Sequence, residues 1–420
     1  MMLKSLFCSL LTGILMLFQV QGGITAFNTS CPQESAYNAE LATYLFNNCS
    51  QNADIIDTDK YELFVSGEHH ATQKNFDVEM NIIKNLSEKS NLKYIIAETS
   101  MTHALLINNY LKTGNIENLN IVMNSLKGTF SGSNENYKFL QDLYEFNKTL
   151  PEDKKLTYLG MDIEHQYNLA IGYLWDIDLR KGPFEKLEKF INDCKQGESD
   201  EEKLLSLETI YKDVNENAQL YSGKLGDEFW TFEYLIRNTI NGIKCYVMDS
   251  KGEHLNSNIF REKAITENFY KIYEHFPKGK YYGQWGLEHT FLNNVKTDNH
   301  PDYEQRIATA LNNREDSPIK NKVYSMAIVY VDSFFMNPNN PKHPNKICRV
   351  NSKNEDNADS NTLEFCAQDK IQFFKLDAQD SPFSKKLYLL GNITKAGCTT
   401  DYFKGLVLVK NSSACTYWGQ

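Results

Sequence analysis

The sequence predicts an α/β fold with a mostly parallel central sheet flanked by helices, a large helical insertion and a disulfide-rich C-terminal part. The first observation is a β-α-β unit, in which a strand ending at Gly67 is followed by a helix over Asn75–Lys89 and a strand at Tyr94–Ala97. Two strands connected through a helix pair in parallel, and the helix covers one face of the sheet. The second observation is a helical pattern over most of residues 168–276, after which strand patterns return.

The other elements follow from hydrophobic spacing and from turn residues. Helices are predicted over Thr102–Lys112, Ile116–Leu126, Glu135–Asn147, Glu201–Leu220 and Phe229–Tyr246, with a turn at Ser222–Gly226 before the last. Strands are predicted at Leu156–Gly160, Lys280–Gly283, Val323–Val331, Lys386–Leu390 and Gly405–Val409. The segment Asn337–Asp377 is rich in Asn, Pro, Lys and Asp, and predicts a long excursion from the sheet.

The N-terminus has the pattern of a secretory signal peptide. Lys4 is followed by an apolar run over Leu6–Val20 and by small residues at Gly22 and Gly23. Residues 1–22 are therefore predicted to be removed, which leaves residues 23–420 as a single α/β domain with its helical insertion. The expected location is secreted or periplasmic, and no later segment is long and apolar enough to span a membrane.

The cysteine count suits an exported protein. Without Cys8, eight cysteines remain, and an even number in an exported chain favours disulfides. Their grouping predicts the bridges Cys31–Cys49 and Cys194–Cys245, and two more bridges among the last four cysteines. These last four are Cys348, Cys366, Cys398 and Cys415.

Composition limits the range of partners. The formal charge of −10 and a pI near 5.5 argue against nucleic acid, which requires a basic surface. A small-molecule or peptide substrate is the expected partner.

Acidic and histidine side chains follow several predicted strands. Glu68 and His70 come two residues apart at the end of the first strand, so alternation places them on one face. A carboxylate beside an imidazole orients its tautomer and raises its basicity, as a general base that activates water requires. Glu98 ends an apolar strand, where a carboxylate needs a proton, a cation or a hydrogen-bond donor.

Two further strand ends carry the same residue types. The carboxyl ends of parallel strands share one edge of a sheet, so these groups are expected to converge on one pocket. The predicted reactive residues are Glu68, His70, Glu98 and His289, with His69, Asp162, Glu164, His165 and Glu288 in support. His70, Glu98 and His289 would also supply the three ligands of an open zinc or manganese site, so metal assistance stays an alternative.

A set of short motifs resembles the superfamily of erythromycin esterases, ChaN and Tiki (TraB) proteins. In chain order these are Gly67-Glu68-x-His70, the strand ending in Glu98, Leu159-Gly160-Met161-Asp162, Arg261-Glu262-Lys263-Ala264, Gly286-x-x-His289 and Tyr402-Phe403-Lys404-Gly405-Leu406-Val407, spread over roughly residues 61–410. The resemblance implies an α/β core with a pocket at the Gly-x-x-His ends. Glu68 and His70 match the base pair of the first motif, Glu98 the family glutamate, and His289 the distal histidine.

Two departures from the esterase pattern bear on activity. The first motif is one residue shorter between Glu68 and His70, and Glu79 stands where the pattern has an arginine. An acid in place of a cation argues against macrolide hydrolysis in particular, and the paired Gly-x-x-His motifs lean towards the metal-dependent Tiki-like peptidases. The sequence therefore predicts an exported ester or peptide hydrolase that uses a His/Glu-activated water. The alternative is a non-catalytic ChaN-like protein that binds haem or iron.

Overall fold

The computed structural model describes residues 38–295, 306–340, 343–346, 358–389, 394 and 396–419, and within these ranges an eight-stranded sheet forms the core. Its strands are β1 (Cys49–Ser50), β2 (Leu63–Glu68), β3 (Leu92–Ser100), β4 (Thr157–Asp162), β5 (Lys280–Gly286), β6 (Val323–Val331), β9 (Gln372–Lys375) and β10 (Gly405–Lys410), and a separate pair consists of β7 (Phe334–Phe335) and β8 (Asn345–Lys346). The predicted signal peptide, Cys31 and Cys348 lie outside the described residues.

The sheet has the order β1-β9-β10-β6-β2-β5-β3-β4. The five pairings from β10 to β4 are parallel, and only β1 and β9 pair antiparallel with their neighbours in the described sheet. This confirms the predicted α/β fold with a mostly parallel sheet. β6 is buried along its whole length, as a central parallel strand covered on both faces should be.

Helices connect the parallel strands. They are α1 (Ala39–Asn47), α2 (Asn75–Lys89), α3 (Met101–Thr113), α4 (Ile116–Ser125), α5 (Asn134–Thr149), α6 (Tyr167–Lys181), α7 (Glu185–Lys195), α8 (Asp200–Glu216), α9 (Ala218–Leu225), α10 (Phe229–Ser250), α11 (His254–His275), α12 (Ile307–Asn313), α13 (Ala358–Cys366) and α14 (Thr399–Tyr402). Six of them, α6 to α11, lie between β4 and β5. None of the described helices has both the length and the apolar character needed to cross a membrane.

Two local predictions were wrong. The expected turn at Ser222–Gly226 falls mostly inside α9, because Tyr221 and Leu225 are buried and their packing outweighs the helix cost of Gly223. The expected strand at Lys386–Leu390 is irregular over 386–389, and Leu390 lies outside the described residues. Its backbone is instead hydrogen-bonded to Thr399. The hydroxyl oxygen of Thr399 accepts from the backbone N–H of Tyr388, and the backbone N–H of Thr399 donates to the carbonyl of Lys386.

The predicted disulfides are also not found in the described part of the chain. Cys49, Cys194, Cys245, Cys366, Cys398 and Cys415 are all free thiols there. Cys194 and Cys245 contact different partners, a carboxylate oxygen of Glu198 and the carbonyl of Ser257. The C-terminal part is therefore not disulfide-rich, and parity of the count was a poor guide to pairing.

Candidate active site

The carboxyl ends of β2, β3, β4 and β5 meet at one edge of the sheet, because these four strands are parallel neighbours. Glu68 is in register with Gly286, and Ser100 with Asp162. The register of β3 shifts between Ala97 and Ser100, so Glu98 lies in an irregularity that re-aims its side chain.

Glu68 and His70 form a close pair. Nδ1 of His70 lies 2.8 Å from Oε1 of Glu68, and Gln284 donates to the other Glu68 oxygen at 2.7 Å. An ionised carboxylate only accepts hydrogen bonds, so it selects the tautomer that carries its proton on Nδ1. Nε2 of the neutral ring then carries a free lone pair. Burial lowers the pKa of His70, but the carboxylates of Glu98 and Glu68 outweigh it and raise the pKa overall.

Glu98 is an ionised carboxylate at the centre of the site. Oε2 accepts from the backbone N–H of Gly286 at 2.8 Å and lies 3.7 Å from Nε2 of His70. Oε1 accepts from Arg261 at 2.9 Å and lies 3.3 Å from Nε2 of His289. Burial raises the pKa of Glu98, yet His289, His70 and Arg261 together hold it well below the usual range.

His289 lies behind Glu98, away from solvent. Its Nδ1 is 2.7 Å from Oε1 of Glu262, close but without hydrogen-bond alignment, and its side chain is 9% exposed. Burial lowers the pKa of His289, but Glu262 and Glu98 outweigh it and raise the pKa to about 10. His289 is therefore an imidazolium at neutral pH that holds Glu98 in place.

Asp162 anchors the opposite side of the network. It is 1% exposed, accepts two hydrogen bonds from Arg261, and lies 3.1 Å from Nε2 of His165. Burial raises the pKa of Asp162, but Arg261 and His165 hold it below the usual range. Arg261 thus bridges Asp162 to Glu98, which fixes one wall of the site.

Two glycines allow this close approach. A Cβ at Gly286 would lie 2.9 Å from Nε2 of His70 and 3.6 Å from Oε2 of Glu98. A Cβ at Gly67 would lie 2.4 Å from Oγ1 of Thr290, in the short helix Leu287–Thr290 that carries His289. Gly67 is thus needed for space between β2 and that helix.

Three of the predicted supporting residues lie elsewhere. His69 is exposed, and its ring packs on Phe335 with centroids 4.3 Å apart. Glu288 is on the surface and pairs with Arg306. Glu164 turns into the interior because β4 ends at Asp162, and its carboxylate accepts from the backbone N–H of Thr102.

The site opens into a cleft with a volume of about 100 Å³. Its acidic lining residues are Glu68, Glu79 and Glu98, beside His70, and its apolar walls include Phe76, Ile107, Val122, Leu126, Phe130, Leu140 and Tyr158. No Lys or Arg belongs to this lining among the described residues. His289 and Arg261 do not line the cleft, so they act on it only through Glu98.

The residues at the site do not fit a divalent metal as arranged. Arg261 donates to the Glu98 oxygen that a metal shared with His289 would need. Both ring nitrogens of His289 already lie beside carboxylate oxygens, Nε2 at 3.3 Å from Glu98 and Nδ1 at 2.7 Å from Glu262. Among the described residues, no group of three or more His, Cys, Asp or Glu side chains is arranged to hold a metal ion.

Sequence reasoning did not assign Arg261, Glu262 or Gln284 to the site. Arg261 lies on the helix face of α11 that also carries the buried residues Ile265, Asn268 and Ile272. This spacing of four, seven and eleven residues was a readable sign that the guanidinium faces inward. Glu262 had the same sign, because the buried residues Ile265, Thr266 and Phe269 follow it at three, four and seven residues. Its partners His289 and Arg306 could not be predicted from spacing, since they come from distant segments.

Comparison with known proteins supports the fold alone. No family model matches the chain, and no curated protein matches it significantly in sequence. Among solved structures it resembles a Bacillus cereus protein (TM-score 0.64, 17% identity, 91% of this chain and 99% of that one) and a succinoglycan biosynthesis protein (0.60, 11%, 90% and 98%). It also resembles a mutant erythromycin esterase in its open conformation (0.63, 13%, 86% and 94%), so the chain has an erythromycin-esterase-like fold.

Proposed function

We propose that this protein is a hydrolase that cleaves an ester bond with a water molecule activated by His70. The observation that carries the proposal is the orientation of His70, whose Nδ1 is held by Glu68 while Nε2 faces Glu98 and the cleft. The same fold in an erythromycin esterase supports hydrolysis as the reaction class.

The geometry supports a simple sequence of steps. A water within hydrogen-bond reach of both Nε2 of His70 and Oε2 of Glu98 would be held by the carboxylate and lose a proton to the imidazole. The hydroxide attacks the ester carbonyl, and Glu68 stabilises the imidazolium that forms. Arg261 and His289 keep Glu98 ionised and fixed, so the water site is preorganised.

The charge and size of the cleft restrict the substrate. Two ionised carboxylates and no lining cation disfavour an anionic substrate, and apolar walls favour a neutral or cationic ester with an apolar group. Pockets that enclose drug-sized ligands measure roughly 300–1,000 Å³. A cleft of about 100 Å³ accepts only a small part of the substrate, and its size does not favour the haem-binding alternative.

The proposal is tested by assaying purified protein against a panel of small neutral esters beside the His70→Ala variant. Hydrolysis that is equal in the two proteins would sink it.

The pH dependence of hydrolysis provides a second prediction. His70 must be neutral to accept a proton, so activity should rise with pH through the raised pKa of His70. Glu68 is one cause of that raised pKa, and Glu68→Gln should therefore move the acidic limb of the kcat/KM profile to lower pH. The measurement is kcat/KM between about pH 5 and about pH 9, a range that includes the ordinary His pKa of about 6.5. An acidic limb that stays in place would contradict the assigned base.

Gly286→Ala is expected to lower kcat/KM by about 100-fold, because the added methyl must push the His70 ring out of position. The matched control is Gly223→Ala in α9, where a Cβ meets nothing within 4 Å. Both variants should keep the wild-type circular dichroism spectrum, and only Gly286→Ala should lose activity. Equal activity in Gly286→Ala and wild type would show that His70 does not need this space.

A further inference from the structure

Glu79 is a buried carboxyl group that faces the cleft without a partner. It belongs to α2, is 8% exposed, and lines the same cleft as Glu68, His70 and Glu98. Its carboxyl group has no hydrogen bond or ion pair with any other residue that the structure describes. Its oxygens are not among the fully buried side-chain atoms that lack a partner, so the carboxyl group is open to the cleft and to a molecule bound there.

The surroundings of Glu79 and Glu68 set the two carboxyl groups apart. Glu68 is hydrogen-bonded by His70 and Gln284, whereas Glu79 lies among apolar and aromatic walls such as Phe76 and Tyr158. Burial and the nearby Glu68 carboxylate raise the pKa of Glu79 well above its usual range. Enzymes use two carboxyl groups in contrasting environments in this way, so that one stays protonated as an acid while the other stays ionised in the same site.

We infer that Glu79 is the general acid of the site, which protonates the departing alcohol of an ester whose alkoxide is a poor leaving group. This inference rests on the proposed ester hydrolysis and names its substrate class. His70 removes a proton from water, and hydroxide forms a bond to the carbonyl carbon. The carbon–oxygen ester bond then breaks as the leaving oxygen takes the proton of Glu79. Transfer of one proton from His70 to Glu79 restores the enzyme, and the acid product ionises into solvent.

Other proton sources near the site are less suited to this step. Arg261 and His289 are engaged with carboxylates and do not line the cleft. Tyr158 lines the cleft, but burial raises the pKa of its hydroxyl above the ordinary range, which makes it a weaker acid. Among the described residues that line the cleft, Glu79 is the one whose carboxyl group has neither a hydrogen bond nor an ion pair.

The test compares Glu79→Gln with wild type on two esters of one acyl group. A 4-nitrophenyl ester releases a stable phenolate that needs no acid, whereas an ethyl ester releases ethoxide, which does. Glu79→Gln should lower kcat/KM for the ethyl ester by about 10²- to 10⁴-fold and for the 4-nitrophenyl ester by less than about threefold. The alkaline limb of the ethyl ester profile should also disappear. Glu88→Gln, the same change on the exposed side of α2, should alter neither rate.

Equal slowing of the two esters by Glu79→Gln would mean a packing role and overturn the inference, as would no slowing of either. His70→Ala separates this from failure of the proposed function, because it should slow both esters, and no effect on either would remove the hydrolase itself. A readout without turnover comes from ¹³C-glutamate NMR. One carboxyl resonance should have the chemical shift of a protonated group at pH 7 in wild type and should be missing in Glu79→Gln. An ionised Glu79 at that pH overturns the inference even if no ester is cleaved.

Discussion

His70→Ala is expected to lower kcat/KM for a small neutral ester by about 10²- to 10⁴-fold, the range that a positioned general base contributes. The substitution removes the Nε2 lone pair that faces the cleft, and it leaves Glu68 and Glu98 without the group between them. The side chain of His70 is 38% exposed, so its truncation leaves no sealed cavity and should cost little stability. The loss should therefore appear in rate with an unchanged urea unfolding curve.

His69→Ala is the matched control for this experiment. His69 is the adjacent residue and the same residue type, but its ring packs on Phe335 and does not line the cleft. It should keep a rate within about threefold of wild type, since it provides no proton acceptor at the site. Added imidazole should partly restore activity to His70→Ala, because the vacated space opens to solvent. Equal losses in the two variants would instead point to a general disturbance of the loop after β2.

Alternation placed His70 on the same face as Glu68 correctly, although β2 ends at Glu68 and His70 lies two residues beyond it. Glu98 was predicted because burying a carboxylate at the end of an apolar strand costs free energy unless the carboxylate has partners. Its contacts with Arg261 and His289 are such partners. The same rule failed at Glu164, which also lies two residues beyond its strand but turns into the interior towards Thr102. Beyond a strand end, the contacts of the following loop decide the direction of a side chain, so alternation predicted one of these two residues and missed the other.

Long-range partners could not be predicted in the same way. Arg261 reaches Glu98 from a position 163 residues later in the chain, and nothing in local spacing specifies which strand end a helix will cover. Strand order had the same limit. β5 lies between β2 and β3 although it follows both in sequence, and that insertion brings Gly286 beside Glu98. Local patterns predicted the elements, whereas packing among distant segments decided their neighbours.

Arg261→Leu is expected to lower the free energy of unfolding by about 3–5 kcal/mol, the cost of leaving a buried charge without its partner. Asp162 is 1% exposed, and after the guanidinium is removed it would keep the contact with His165 and the hydrogen bond from the backbone N–H of Ile163. Glu98 would lose one of its cationic contacts while keeping His289 and the backbone N–H of Gly286. The measurement is urea denaturation followed by circular dichroism at neutral pH.

Two further variants distinguish the effect of an unpaired buried charge from the effect of removing an arginine side chain. Arg180→Leu removes an arginine that also pairs with two carboxylates, Asp176 and Glu228, but on the surface, where such pairs contribute about 0–1 kcal/mol. Adding Asp162→Asn to Arg261→Leu removes the unpaired charge and should recover most of the lost free energy. If the double variant stays as unstable as Arg261→Leu, the packing of the arginine stem, rather than its charge, stabilises this wall of the site.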